Sequence, residues 1–141
     1  MNITKALKLK KKLITKANTA YDKLKKYNIV EENVKPPYDA QEAYDEWIKL
    51  TNELIELKTK IHLANAPVYH KIFRMSELKS SVSKLKNLDV NNRNTNYGGV
   101  ISIYVAKIDV ITKDKSISVM EDEIEKLQDE LEAHNAITKI G

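Results

Sequence analysis

The sequence predicts a mainly α protein with a small β element: an antiparallel helical hairpin, a third helix, a β-strand or hairpin and a C-terminal coiled-coil-type helix, associated as an oligomer. Three observations predict it. Ala43, Trp47, Leu50, Leu54, Leu57, Ile61 and Ala64 step by 4, 3, 4, 3, 4 and 3, which holds one apolar seam along a helix of about six turns. Shorter rows of the same period recur before and after it. One segment, 100–112, is rich in β-branched and aromatic residues.

In chain order, Ile3, Leu7, Ile14, Ala17, Tyr21 and Leu24 mark a first helix over 2–28, interrupted where Lys10 takes an inward slot. Asn28, Asn33, Pro36 and Pro37 make 29–38 a connection, so the next helix turns back as a hairpin. That helix spans 39–66. Asp39 caps its first turn, Glu42 completes a capping box, and the prolines block an earlier start. Beyond Pro67, residues 68–73 read as a short extended piece or turn, and Met75, Leu78, Val82 and Leu85 then give a helix over 75–88. The Asn-rich stretch 87–99, closing on Tyr97, Gly98 and Gly99, reads as an exposed loop with positive-φ positions.

Residues 100–112 read as one long strand whose apolar face changes parity near Val105, as a bulge would produce. Its mate is 68–73, 116–118, or the same strand of another copy. Ser118 and Glu121 form a second capping box, and Met120, Ile124, Leu127, Leu131, His134 and Thr138 give a last helix over 119–138. The whole chain, 1–141, reads as a single elongated helical domain. A rod has too few neighbours to cover long seams, so association with further copies is expected.

The net charge of +4 hides a gradient: 1–38 holds ten lysines against Asp22, Glu31 and Glu32, whereas 119–141 holds seven acids against Lys126 and Lys139. The lysines lack interleaved arginine and aromatic residues, which favours a solvated helix face that neutralises an acidic helix over a nucleic-acid or membrane patch. There are no cysteines, which excludes a disulfide scaffold. No apolar run approaches membrane length, and Lys8, Lys10, Lys11 and Lys12 break the stretch 7–14 as a signal-peptide core. A cytoplasmic protein is expected.

Phosphate-binding glycine loops, nucleophile elbows and paired metal-ligand histidines are missing, and His62, His70 and His134 are dispersed. No enzyme activity, cofactor or metal is expected. His134 continues an apolar row and reads as a helix-end residue tapering the seam. The remaining candidates form a binding surface: Tyr69, His70, Phe73 and Arg74 ahead of the third helix, Arg93, Asn94, Asn96 and Tyr97 in the loop, Tyr104 and Lys107 on the strand. Both arginines of the chain fall here. Guanidinium groups fork onto phosphate and aromatic rings stack on bases, which would suit an anionic, nucleotide-type small molecule. The plainer alternative is that the aromatic residues pack and the asparagines form turns.

The row from Leu7 to Leu24, IHLANA (61–66), RMSELKSSVSKL (74–85) and IDVITKDKSISVMEDEIEKLQDELEAHNAIT (108–138) together resemble the septicolysin-like family of small bacterial and phage proteins, nearly end to end. Asn65, Glu77 and Asn135 look like that family's recurring polar positions. VYHKIF (68–73) and the Asn-rich loop depart from it, and no membrane-length segment supports the pore-forming role in the family's name. The order of elements is also similar to the phage Thoeris anti-defence sponges, which sequester cyclic ADP-ribose-type signals, although 119–141 carries no arginine for such a role. The resemblance implies a non-enzymatic homo-oligomer that sequesters a cyclic-nucleotide or cyclic ADP-ribose-like signal in pockets between subunits. The alternative is a structural or protein-interaction coiled coil without a small-molecule ligand.

Overall fold

The computed structural model describes all 141 residues and is mainly helical, with one two-stranded antiparallel sheet. The elements are α1 (Ile3–Tyr27), α2 (Ala40–Ala64), a 3-10 turn (Ala66–Val68), α3 (Tyr69–Lys86), β1 (Arg93–Tyr97), β2 (Val100–Tyr104) and α4 (Val110–Ile137). They divide into two compact units, Met1–Pro67 with Ala133–Gly141, and Val68–Glu132.

In the first unit α1 and α2 pack antiparallel: Tyr27 meets Tyr38 at 5.4 Å between ring centroids, and Tyr21 meets Trp47 at 5.1 Å. The α2 seam is the expected one. Ala43, Leu50, Leu57 and Ile61 are buried, Trp47 and Leu54 pack against them, and Asp39 Oδ1 accepts from the Gln41 amide at 2.8 Å. On α1, Ile3 and Ala17 are buried as expected, but Ala6, Leu13 and Ala20 are buried where Leu7, Ile14 and Tyr21 were expected; Leu7 and Ile14 are half-covered and Tyr21 is exposed. The cause is size. Three alanines on one face let the two backbones approach, and larger side chains such as Leu7 and Leu9 flank the contact. Lys10 is half-buried.

The chain's end returns to this unit. The Ile3 amide donates to Thr138 O and the Ile140 amide to Met1 O, both at 3.0 Å, and Ile140 packs on the core. His134 Nε2 lies 3.2 Å from Ala64 O and its Nδ1 3.1 Å from Thr138 Oγ1, a structural placement at the helix end.

The second unit departs from expectation in three places. Residues 68–73 are not extended: Pro67 sits in the 3-10 turn and α3 begins at Tyr69, six residues before the expected start. The strand expected over 100–112 stops at Tyr104, and its mate is Arg93–Tyr97, inside the stretch expected to be loop. Neither 68–73 nor 116–118 pairs with it. The last helix starts at Val110 and not near 119, because Asp109 supplies the cap, its Oδ1 accepting from the Thr112 amide at 2.8 Å. That cap overrides the strand preference of 110–112, and the 118–121 box lies inside the helix.

Within this unit α3 and α4 run antiparallel, tied by Lys71 to Glu130 at 3.1 Å, Arg74 to Glu123 and Lys86 to Glu121 at 3.3 Å. Lys113 Nζ donates to the free carbonyls of Lys86 and Leu88 at the end of α3. Only Val68, Val82, Leu127 and Leu131 are buried here, and the other expected seam residues, Met75, Leu78, Leu85, Met120 and Ile124, are half-covered.

Candidate functional site on the β-hairpin

The hairpin is written in its turn. Gly98 and Gly99 adopt φ of +59° and +84°, the mirror-image turn that matches strand twist and that side chains with a Cβ resist. The register pairs Arg93 with Tyr104, Asn94 with Ile103, Thr95 with Ser102, Asn96 with Ile101 and Tyr97 with Val100. At its open end the Ala106 amide donates to Asn92 Oδ1 at 2.9 Å.

The predicted site residues fall into groups. Arg93 and Tyr104 are cross-strand neighbours and line an open groove of about 380 Å³ with Asp89, Asn91, Thr95, Val105 and Ala106. Tyr69 and Phe73 stack on α3, centroids 5.8 Å apart and planes at 15°, and Arg74 follows them. Asn96 and Tyr97 lie near the turn, Tyr97 80% exposed, and Lys107 is exposed after β2. Tyr69, Phe73, Arg74, Asn96, Tyr97 and Lys107 line no part of the groove.

Both arginines are engaged by carboxylates. Arg74 donates from Nε and Nη2 to the two oxygens of Glu123, at 2.5 and 3.0 Å, and this guanidinium holds the Glu123 carboxyl below its usual range. Arg93 pairs with Asp89, whose carboxyl is held low first by the Asn91 amide and then by Arg93. Asp89 and Glu123 were outside the candidate set. Asp89 was legible, four residues before Arg93; Glu123, 49 residues from Arg74, carried no local signal.

Apolar side chains also lie open along the hairpin region. Val100, Ile101, Ile103, Val105, Ile108, Val110 and Ile111 are all exposed. Of the family-like polar positions, Glu77 is exposed, Asn135 half-covered, and Asn65 places a buried Oδ1 without a hydrogen-bond partner. No three His, Asp or Glu side chains gather as a metal-binding group, and no helix is long and apolar enough to cross a membrane.

These features define a mainly helical protein carrying a β-hairpin with an uncovered apolar surface. Comparison with protein-family models, curated proteins and solved structures gave no match.

Proposed function

We propose that this chain is a non-enzymatic interaction protein that works as a homo-oligomer, its paired helices supporting an adhesive hairpin. The observation that carries this reading is the set of apolar side chains between Val100 and Ile111, seven of them aliphatic, that lie exposed on and beside a two-stranded sheet. An isolated two-stranded hairpin is marginal in water, and a cluster of exposed apolar side chains marks an interaction site. Covering it with a third and fourth strand removes both costs. The half-covered seams of α3 and α4 point the same way, since two helices alone do not enclose a core. Light scattering tests the reading: the expected mass is a multiple of 16.2 kDa, and a monodisperse species of 16.2 kDa at high micromolar concentration overturns it.

A second reading follows the resemblance to the septicolysin-like proteins and the phage sponges: capture of an anionic nucleotide-type signal. The groove lined by Arg93, Tyr104 and Asn91 favours it. It requires Asp89 to release Arg93, because an anion and a carboxylate compete for one guanidinium. Calorimetry against cyclic dinucleotides, cyclic ADP-ribose isomers and NAD distinguishes the two. Binding that disappears in Arg93→Ala favours the sponge, and silence across the panel removes it.

A further inference from the structure

The two edges of the sheet differ. In a two-residue hairpin closed by Gly98 and Gly99, the flanking residues Tyr97 and Val100 exchange both ladder hydrogen bonds. Antiparallel alternation then turns the amides and carbonyls of Val100, Ser102 and Tyr104 toward β1, and those of Ile101 and Ile103 toward the open edge. Natural edges are guarded by charge, proline, bulges or a covering element. β1 carries Arg93 and three further polar residues, Asn94, Thr95 and Asn96, whereas β2, Val-Ile-Ser-Ile-Tyr, carries no charge, proline or glycine and pairs without a bulge.

We propose that β2 is the self-association surface: two copies join β2 to β2, antiparallel about Ser102, into one four-stranded sheet. The pairing rests on the oligomeric reading above and names its interface. In this register Ile101 of each copy faces Ile103 of the other, and their outward amides and carbonyls supply four hydrogen bonds. Ser102 meets itself as a non-hydrogen-bonded pair, with Cα atoms about 4.5 Å apart. Ile101 and Ile103, 66% and 71% exposed, share one face, so four isoleucines become contiguous across the junction. A slip of one residue would oppose outward groups to inward ones and send the second copy's isoleucines to the other face. The contact is two-fold and closes on itself, so it gives a dimer and no filament.

The chain has no cysteine, so Ser102→Cys places a single thiol on the proposed axis, at a Cα separation that a disulfide accepts. Mild oxidation with a glutathione buffer is expected to convert this variant largely to covalent dimer. Thr95→Cys, on the far strand, stays monomeric on denaturing gels. Ile103→Pro removes only an outward amide, and Ile103→Lys keeps the amide but adds a charge to the stripe. Each is expected to lower the light-scattering mass from twice 16.2 kDa to 16.2 kDa with helical circular dichroism retained. A wild-type oligomer whose mass survives both substitutions, or whose Ser102→Cys variant resists crosslinking, overturns the β2 pairing while the oligomeric reading stands. A wild-type monomer overturns both.

Discussion

Arg74 on α3 grips Glu123 on α4 with two contacts, Nε to Oε1 at 2.5 Å and Nη2 to Oε2 at 3.0 Å, so the fork of one side chain fixes the approach of two helices. The arginine holds the Glu123 carboxyl below its ordinary range, and the Asn91 and Thr112 amides do the same for Asp89 and Asp109. A carboxyl that binds its proton more weakly when folded favours the folded state above its unfolded pKa, and that contribution is lost as the pH falls through the folded value. Stability is therefore expected to be flat at neutral pH and to decline below about pH 4. Thermal melts at pH 7 and pH 3 should show a smaller pH-dependent drop in Glu123→Gln than in the parent chain. An equal drop would mean that this pair does not sense acid.

The turn offers a separate test. A Cβ added at Gly98 or Gly99 meets nothing within 4 Å, so any cost of substitution is conformational and not steric. Gly98→Ala is expected to destabilise the hairpin by about 1–2 kcal/mol, the cost of holding a non-glycine residue at positive φ. Hydrogen exchange should rise across 93–104 while α1 and α2 keep their protection. Unchanged exchange in the strands would show that the sheet is held by something other than its turn.

Periodicity explains what could be read in advance. The α2 seam was legible because seven apolar residues repeat at 3 and 4 with nothing to compete, and the same spacing located the α4 row, of which Leu127 and Leu131 are buried, Met120, Ile124 and His134 are half-covered, and Thr138 falls just beyond the helix. On α1 the positions of Ile3 and Ala17 were legible, but Leu7, Ile14 and Tyr21 signal burial by size where their neighbours Ala6, Leu13 and Ala20 are buried, two of these because they are small. β1 was missed because Arg-Asn-Thr-Asn-Tyr has no apolar alternation, although Gly98-Gly99 between two short runs was the hairpin's own signal. Residues 110–112 have strand chemistry but follow Asp109, and a cap three residues from its amide outweighs intrinsic preference. Of the candidate residues, Arg93 and Tyr104 were brought together by strand pairing, a long-range fact that composition does not carry.

Burial separates two neighbours on α2. Leu57 is 7% exposed within the α1–α2 core, and Ile55 is 56% exposed on the same helix. Leu57→Ala is expected to cost about 2–5 kcal/mol, combining lost transfer energy with an unfilled cavity. Ile55→Ala should stay within about 0.5 kcal/mol, since a surface side chain leaves no void. Chemical denaturation of both variants decides it. A large loss at Ile55 would reveal a partner covering that face of α2.

Ile3 is the one large side chain with no solvent exposure, although it stands in the first turn of α1. It is enclosed because the far end of the chain comes back to it: its own amide donates to Thr138 O, Asn2 Nδ2 donates to Ala136 O at 3.1 Å, and Ile140 bonds Met1 O. Burying a side chain this size contributes about 1.5–3 kcal/mol, and the contribution exists only while the terminal segment is docked. Ile3→Ala is therefore expected to lower stability by about 2–4 kcal/mol and also to release the amides of residue 3 and Ile140 to exchange, because side chain and clasp support each other. Ile137→Ala, at a residue between Ala136 and Thr138 whose side chain is 79% exposed, should change neither. If Ile3→Ala destabilises the chain but leaves the Ile140 amide protected, the docking of the terminal segment does not depend on the Ile3 side chain.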